Sequence, residues 1–173
     1  GKVVSDEITI DSYTISYDLN GGTGSITNIT KIEDLTLTLS NAVPTRIGYT
    51  FQGWGSSATD TSVDYASGAT YTANSGTTLY AIWKVNSYTC SAGNYLTANG
   101  TSCTKCEAGS YCAGDTYTFA SSTQGKNTCP SGYTSVAGSD AQSDCYLTTT
   151  GGKYIATANT STQTTCEAGY YCP

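Results

Sequence analysis

Apolar and polar residues alternate along most of the first half of the chain. Tyr13, Ile15 and Tyr17 are interleaved with Thr14, Ser16 and Asp18, a period of two that predicts a strand with one buried face. Asn20-Gly21-Gly22 follows and supplies the positive-φ positions of a tight turn. Leu35, Leu37 and Leu39 alternate with Thr36 and Thr38 and predict a second strand, in a region that Pro44 ends. Tyr49 to Trp54 is rich in aromatic residues and closes at Gly55, and Thr77 to Trp83 alternates again as a final strand. Ahead of these lies a leader, Gly1 to Ile10, whose Val3, Ile8 and Ile10 extend the same habit. No segment holds a helical period over about 11 residues. The pattern leaves room for a short helix between Thr30 and Leu35, or before Tyr49. The expected core is Tyr13, Ile15, Tyr17, Tyr49, Phe51, Trp54, Leu79, Ala81 and Trp83. Its two tryptophans are the largest apolar groups, and losing either should cost about 3–5 kcal/mol.

Beyond Trp83 the pattern changes. All eight cysteines fall between Cys90 and Cys172, in a stretch with no Trp and a single Phe, Phe119. A stretch so poor in large apolar groups needs another source of stability, and disulfides supply it. The expected organisation is a leader strand over 1–11, a β-domain over 12–85 and a cysteine-rich region over 86–173. The fold class is mainly β. Cys106-Glu107-Ala108-Gly109-Ser110-Tyr111-Cys112 recurs as Cys166-Glu167-Ala168-Gly169-Tyr170-Tyr171-Cys172, a period of about 60, the signature of a linear array. The last repeat reads as incomplete, and the natural protein is expected to be longer. Asn94 to Asn99 is echoed by Lys153 to Asn159, and Asp11-Ser12-Tyr13-Thr14 by Asn86-Ser87-Tyr88-Thr89. With only a short junction between the halves, stiff end-to-end stacking is expected. Local spacing favours pairing Cys90 with Cys103, Cys106 with Cys112, Cys129 with Cys145, and Cys166 with Cys172. A rival set pairs Cys112 with Cys129 and Cys145 with Cys166.

Three blocks of the first half carry a resemblance. Tyr13-Thr14-Ile15-Ser16-Tyr17-Asp18-Leu19-Asn20-Gly21-Gly22 resembles the opening of the internalin B-type B-repeat, also called the Listeria–Bacteroides repeat. Pro44-Thr45-Arg46-Ile47-Gly48-Tyr49-Thr50-Phe51-Gln52-Gly53-Trp54 resembles its central motif, and Leu79-Tyr80-Ala81-Ile82-Trp83 its closing strand. Gly55-Ser56-Ser57 departs from it, standing where many members carry another aromatic residue. The resemblance implies a small β-grasp-like domain of the kind strung as beads in bacterial surface proteins. In the second half, Cys129-Pro130-Ser131-Gly132-Tyr133, a Ser/Thr/Gly run and Cys145 are loosely similar to the cysteine-rich modules of ephrin and tumour-necrosis-factor receptors. That likeness of spacing implies a disulfide-stapled, loop-rich repeat rod.

Composition narrows the function. Charged residues make up 12% of the chain and its net charge is −6, with seven basic residues scattered singly. No basic stripe is available for nucleic acid, and no apolar stretch approaches the roughly 20 residues of a membrane span. Histidine is absent, which removes Ser-His-Asp, Cys-His and most zinc hydrolase arrangements. Cys103-Thr104-Lys105-Cys106 could join Cys112 and Cys129 at zinc, but the even cysteine count and the missing histidines favour disulfides. Asp6-Glu7, Glu33-Asp34 and Asp140 with Asp144 read as solvated loop carboxylates. Asn28, Asn99 and Asn159 open glycosylation sequons that would matter only in a eukaryotic secretory pathway. The expectation is a structural or adhesive segment of a bacterial extracellular or cell-surface protein, a rigid spacer or weak multivalent binder, with neither enzymatic activity nor cofactor. Its partners would be neighbouring repeats or like subunits, and host or cell-surface proteins or glycans. The alternative is the protomer of an extracellular filament whose leader strand joins a neighbour.

Overall fold

The computed structural model describes residues 9–148, 153–154 and 164–167. The chain divides into two compact units, Gly1–Asn86 and Ser87–Pro173. Both are built of strands, and no α-helix occurs among the described residues.

The first unit contains β1 (Ser12–Asp18), β2 (Ile29–Ile32), β3 (Leu37–Thr38), β4 (Tyr49–Gly55), β5 (Thr70–Tyr71) and β6 (Thr77–Val85). Four of these form one sheet in the order β2-β1-β6-β4. The first and last strands run parallel at its centre, from Ile15 opposite Thr77 to Asp18 opposite Tyr80. A separate ribbon, β3 against β5, carries Leu39 and Tyr71 into the cluster formed by Ile15, Trp54, Leu79 and Ala81. Tyr17, Phe51 and Trp83 pack against that cluster from partly buried positions.

A bulge decides how the aromatic motif is used. Phe51 lies opposite Trp83, but Gly53 lies opposite Ile82 and Trp54 opposite Ala81, so the register shifts between Phe51 and Gly53. Strict alternation would send Phe51 and Trp54 to opposite faces. The extra residue brings both into the core cluster, their rings 5.0 Å apart and edge to face. Gly53 makes this possible. Its φ is +144°, and a Cβ there would lie 2.5 Å from Val63 Cγ1 and 2.8 Å from Tyr65 O.

Several expectations need correcting. Tyr13 is half-exposed and outside the core cluster, because β6 joins β1 only from Ile15 onward and leaves Tyr13 with Lys31 of β2 alone. Tyr49 is also outside the cluster. It sits at the outer end of β4 opposite Val85, under the Arg46 guanidinium 4.0 Å from its ring centre. The Leu35–Leu39 strand shrinks to Leu37–Thr38, and Leu35 is exposed in a turn. The short helix open between Thr30 and Leu35 is instead the end of β2 and a turn through Asp34 at φ +56°. The stretch before Tyr49 is likewise a loop and turn. Most of the leader lies outside the described residues.

The second unit is a succession of two-stranded pairs. These are β7 (Ser87–Cys90) with β11 (Asp115–Thr118), β8 (Asn94–Leu96) with β9 (Cys103–Lys105), and β10 (Ser110–Tyr111) with β12 (Asn127–Thr128). They continue as β13 (Tyr133–Thr134) with β14 (Tyr146–Leu147), and β15 (Lys153–Tyr154) with β16 (Thr164–Thr165). Its core cluster is Tyr95 with Cys106 and Cys112. Leu96 is also fully buried, and Cys90, Cys129 and the small polar residues Ser110, Ser135 and Ser139 are nearly so.

Candidate functional site

The motif residues of the first unit spend their polar groups on one another. Trp83 donates Nε1–H to Leu19 O at 3.0 Å and rests on Gly22, where a Cβ would lie 2.5 Å from the indole. The Asn20-Gly21-Gly22 turn is thus the seat of the closing tryptophan, which explains why two glycines stand there. Asn20 Nδ2 donates to Ala58 O and Ala81 O, at 2.9 and 3.1 Å. Arg46 Nη1 donates to Asn20 O at 3.3 Å while its guanidinium covers Tyr49. The Tyr17 hydroxyl accepts the Ser40 N–H at 2.9 Å, and burial raises its pKa above the usual 10.0. The departure at Gly55-Ser56-Ser57 is a closed turn: Asp60 Oδ2 accepts the Ser57 N–H at 2.8 Å and the Ser56 hydroxyl at 3.2 Å. Trp54 is the exception, fully buried with no hydrogen-bond partner for Nε1 among the described residues.

In the second unit the cysteines pair with near neighbours. Cys90 joins Cys103, Cys106 joins Cys112 and Cys129 joins Cys145, with Cα separations of 5.5, 6.0 and 5.8 Å. The rival pairing of Cys112 with Cys129 does not occur. Cys166 is disulfide-bonded, and the expected Cys166–Cys172 bridge involves Cys172, outside the described residues. The Cys103-x-x-Cys106 motif is divided between two bridges, so its thiolates are not available to zinc. No three metal-ligating side chains converge among the described residues.

A shorter period than 60 organises the bridges. Cys90-Ser91-Ala92-Gly93, Cys106-Glu107-Ala108-Gly109 and Cys129-Pro130-Ser131-Gly132 each make the same turn. The residue after the glycine donates its N–H to the carbonyl of the residue after the cysteine: Asn94 to Ser91, Ser110 to Glu107, and Tyr133 to Pro130. The three glycines have φ of +78°, +80° and +84°, which explains the Gly in Cys-x-x-Gly. The signal is present in the sequence but is obscured by unequal spacing.

Ionisable groups in this unit are also structural. Lys126 donates to Glu107 Oε2 at 2.6 Å, and the Tyr95 hydroxyl donates to Glu107 Oε1 at 3.2 Å. The lysine's hydrogen bond and charge, with the tyrosine, lower the Glu107 pKa, and the carboxylate raises that of Lys126. Asp144, one of the paired carboxylates, accepts the N–H groups of Asp140 and Ala141 at 3.0 and 3.1 Å. Those bonds lower its pKa, so Asp144 caps the short turn Gln142–Asp144 instead of pairing with Asp140 as an acid–base couple. The notable concavity is an open groove of about 520 Å³ in the first unit, lined by Ser56, Asp64, Tyr65, Tyr71, Ser75 and Thr77 among others. The Tyr71 hydroxyl is already engaged with Ser75 O at 3.0 Å. Among the described residues, no helix is long and apolar enough to cross a membrane.

Residues 13–82 match the family model of the Listeria-Bacteroides repeat domain. The match spans the sheet from β1 almost to the end of β6, and thus the seat of Trp83 and the Phe51–Trp54 bulge. No curated protein and no solved structure matches the chain.

Proposed function

We propose that this chain is a structural segment of a bacterial extracellular or cell-surface repeat protein, a braced spacer that also offers weak, multivalent contacts. The observation that carries this reading is the use of the motif residues. Arg46, Asn20 and Tyr17 of the stretch that matches the repeat family, and Trp83 just beyond it, all bind within their own unit. Side chains so engaged favour holding a shape over capturing a ligand. The disulfides of the second unit support an oxidising location outside the cytoplasm. A surface rich in Tyr, Asn, Ser and Thr suits shallow contact with proteins or glycans, with strength gained by repetition.

Electron microscopy and sedimentation of the oxidised chain test this. Separate monomeric particles are expected. Regular fibres would overturn the spacer reading in favour of a filament protomer. One observation gives that second reading its footing: β2 ends the sheet with β1 on one side only, an edge that a neighbour's strand could extend. If fibres form and deletion of residues 1–10 abolishes them, the leader is the donated strand.

A further inference from the structure

Lys31 is the anomaly of the first unit. It sits in β2 with its side chain fully buried, where lysines are rarely found without a paired charge. Among the described residues it has no carboxylate within ion-pair distance; the ion pair found there is Lys126–Glu107. Its Nζ instead donates to Ile32 O at 2.5 Å and to the side-chain oxygen of Asn74 at 2.8 Å. Asn74 is held from its other side by Asp34. The Asp34 backbone N–H donates to the same Asn74 Oδ1 at 3.0 Å, and Asn74 Nδ2 donates to Asp34 Oδ1 at 2.7 Å.

We propose that Lys31 and Asn74 are a self-modification site that condenses to an intramolecular amide cross-link, with Asp34 as the proton carrier. The amine, the oxyanion donor and an acid–base group for the leaving nitrogen are in place. The amine meets the carboxamide of Asn74 at its carbonyl end, in a fixed approach that replaces a bimolecular encounter. The Asp34 N–H faces the oxygen on which negative charge would develop, as an oxyanion donor must. The Asp34 carboxylate touches the nitrogen that must leave, within the reach of a general acid–base group. The Nζ–Cγ bond forms and the Cγ–Nδ2 bond breaks. The Asp34 carboxylate rests on Nδ2 and beyond ion-pair distance of Nζ, so it swings to the amine to collect each of two protons in turn and hands them to Nδ2, which departs as ammonium while the carboxylate is regenerated. No oxidant, metal or cofactor takes part. Asn74 and Asp34 are exposed while Lys31 is enclosed, so the amine comes from inside and ammonia leaves toward solvent. The product is uncharged, which removes the cost of keeping an ammonium out of water. It would tie β2 to the loop between β5 and β6, in the unit that has no cysteine.

Tryptic mapping of the oxidised, full-length chain by mass spectrometry tests this. The expected result is a branched peptide joining residues 3–46, uncleaved at Lys31, to residues 47–84, lighter than the two separate peptides by about 17 Da, the mass of ammonia. A succinimide at Asn74-Ser75 would lose the same mass, but it would leave the peptides separate and Lys31 cleavable. Lys31→Arg should abolish the branched peptide. Asp34→Asn, which retains the backbone donor and tolerates positive φ, should abolish it or slow its appearance at least tenfold while circular dichroism stays unchanged. Quantitative recovery of free Lys31 and Asn74 peptides from the aged wild-type protein would overturn the proposal, as would cross-linking of the Asp34→Asn chain at the wild-type rate. Because the decisive map uses wild-type protein, a variant that fails to fold does not weaken the test.

Discussion

The two units solve one problem by different means. The first encloses Trp54, Ile15, Leu39, Tyr71, Leu79 and Ala81 and contains no cysteine. The second has Tyr95 as the aromatic member of its core cluster and fills the rest of that cluster with the Cys106–Cys112 bridge. Where a long central strand pair gathers large side chains on one face, burial is enough to hold the chain. Where strands are two to four residues long, too few side chains converge, and covalent closure of the loops takes over. The cystines also provide the apolar volume, since Cys106 and Cys112 are as fully enclosed as Trp54.

Reduction should separate the units most sharply. Each bridge is worth about 2–4 kcal/mol, so a thiol reductant should unfold residues 87–148 and leave the sheet of the first unit intact. Hydrogen exchange read residue by residue checks this. Retained protection around Tyr95 and Leu96 after reduction would show that the bridges are not what holds that unit.

The next largest effect distinguishes the tryptophans within the first unit. Trp54→Ala should cost about 3–5 kcal/mol, because the ring is wholly enclosed. Trp83 is only partly buried, and Trp83→Ala should cost less, about 1–3 kcal/mol. Denaturant unfolding of both variants, followed by circular dichroism, gives the ranking. Equal losses would mean that the Leu19 hydrogen bond and the Gly22 contact count for as much as burial.

The smallest effect is in pH, and only its acid side distinguishes the two units. Burial raises the Tyr17 pKa above 10.0, so its protonated form belongs to the folded state. That contribution is complete below the unfolded value and is lost as pH rises through the folded one. Tyr13, raised by burial and by Glu33, Asp11 and Asp34, adds to it. In the second unit Glu107 and Asp144 have lowered pKa values. Their contribution is present above the unfolded carboxylate range and is lost as pH falls through the folded one. Tyr117 of the second unit is raised in the same way, by burial and by Asp115, so thermal stability should fall in both units as pH rises above 10. Between about pH 4 and pH 2, the second unit should lose stability as Glu107 and Asp144 protonate. Glu107→Gln should reduce that acid sensitivity. Parallel loss in both units on acidification would refute the assignment.

Much of this was legible from the residues. Alternation around Ile15 and Leu79 located β1 and β6, because a half-buried strand must repeat every second residue. The Cys-x-x-Gly turns depend on local backbone conformation and are present in the sequence, but their unequal spacing hid them behind the period of about 60. The places of Tyr13 and Tyr49 were not readable, because each obeys the pattern yet lies beyond the end of its partner strand. Lys31 was missed for the opposite reason: nothing in Ile29-Thr30-Lys31-Ile32 announces a buried lysine.

The sequence by itself determined the mainly β character of the chain, its change of material after Trp83 and the local turns that follow Cys90, Cys106 and Cys129. These follow from side-chain period, composition and backbone freedom, all of which act between near neighbours. Only the tertiary structure decided which strands lie side by side, how the Gly53 bulge turns Phe51 and Trp54 to one face, and that Asn74 and Asp34 meet at Lys31. Those outcomes depend on parallel pairing of β1 with β6 and on loops closing across some 40 residues. Contacts at that separation are set by how the whole unit packs, and no short window of residues contains the information.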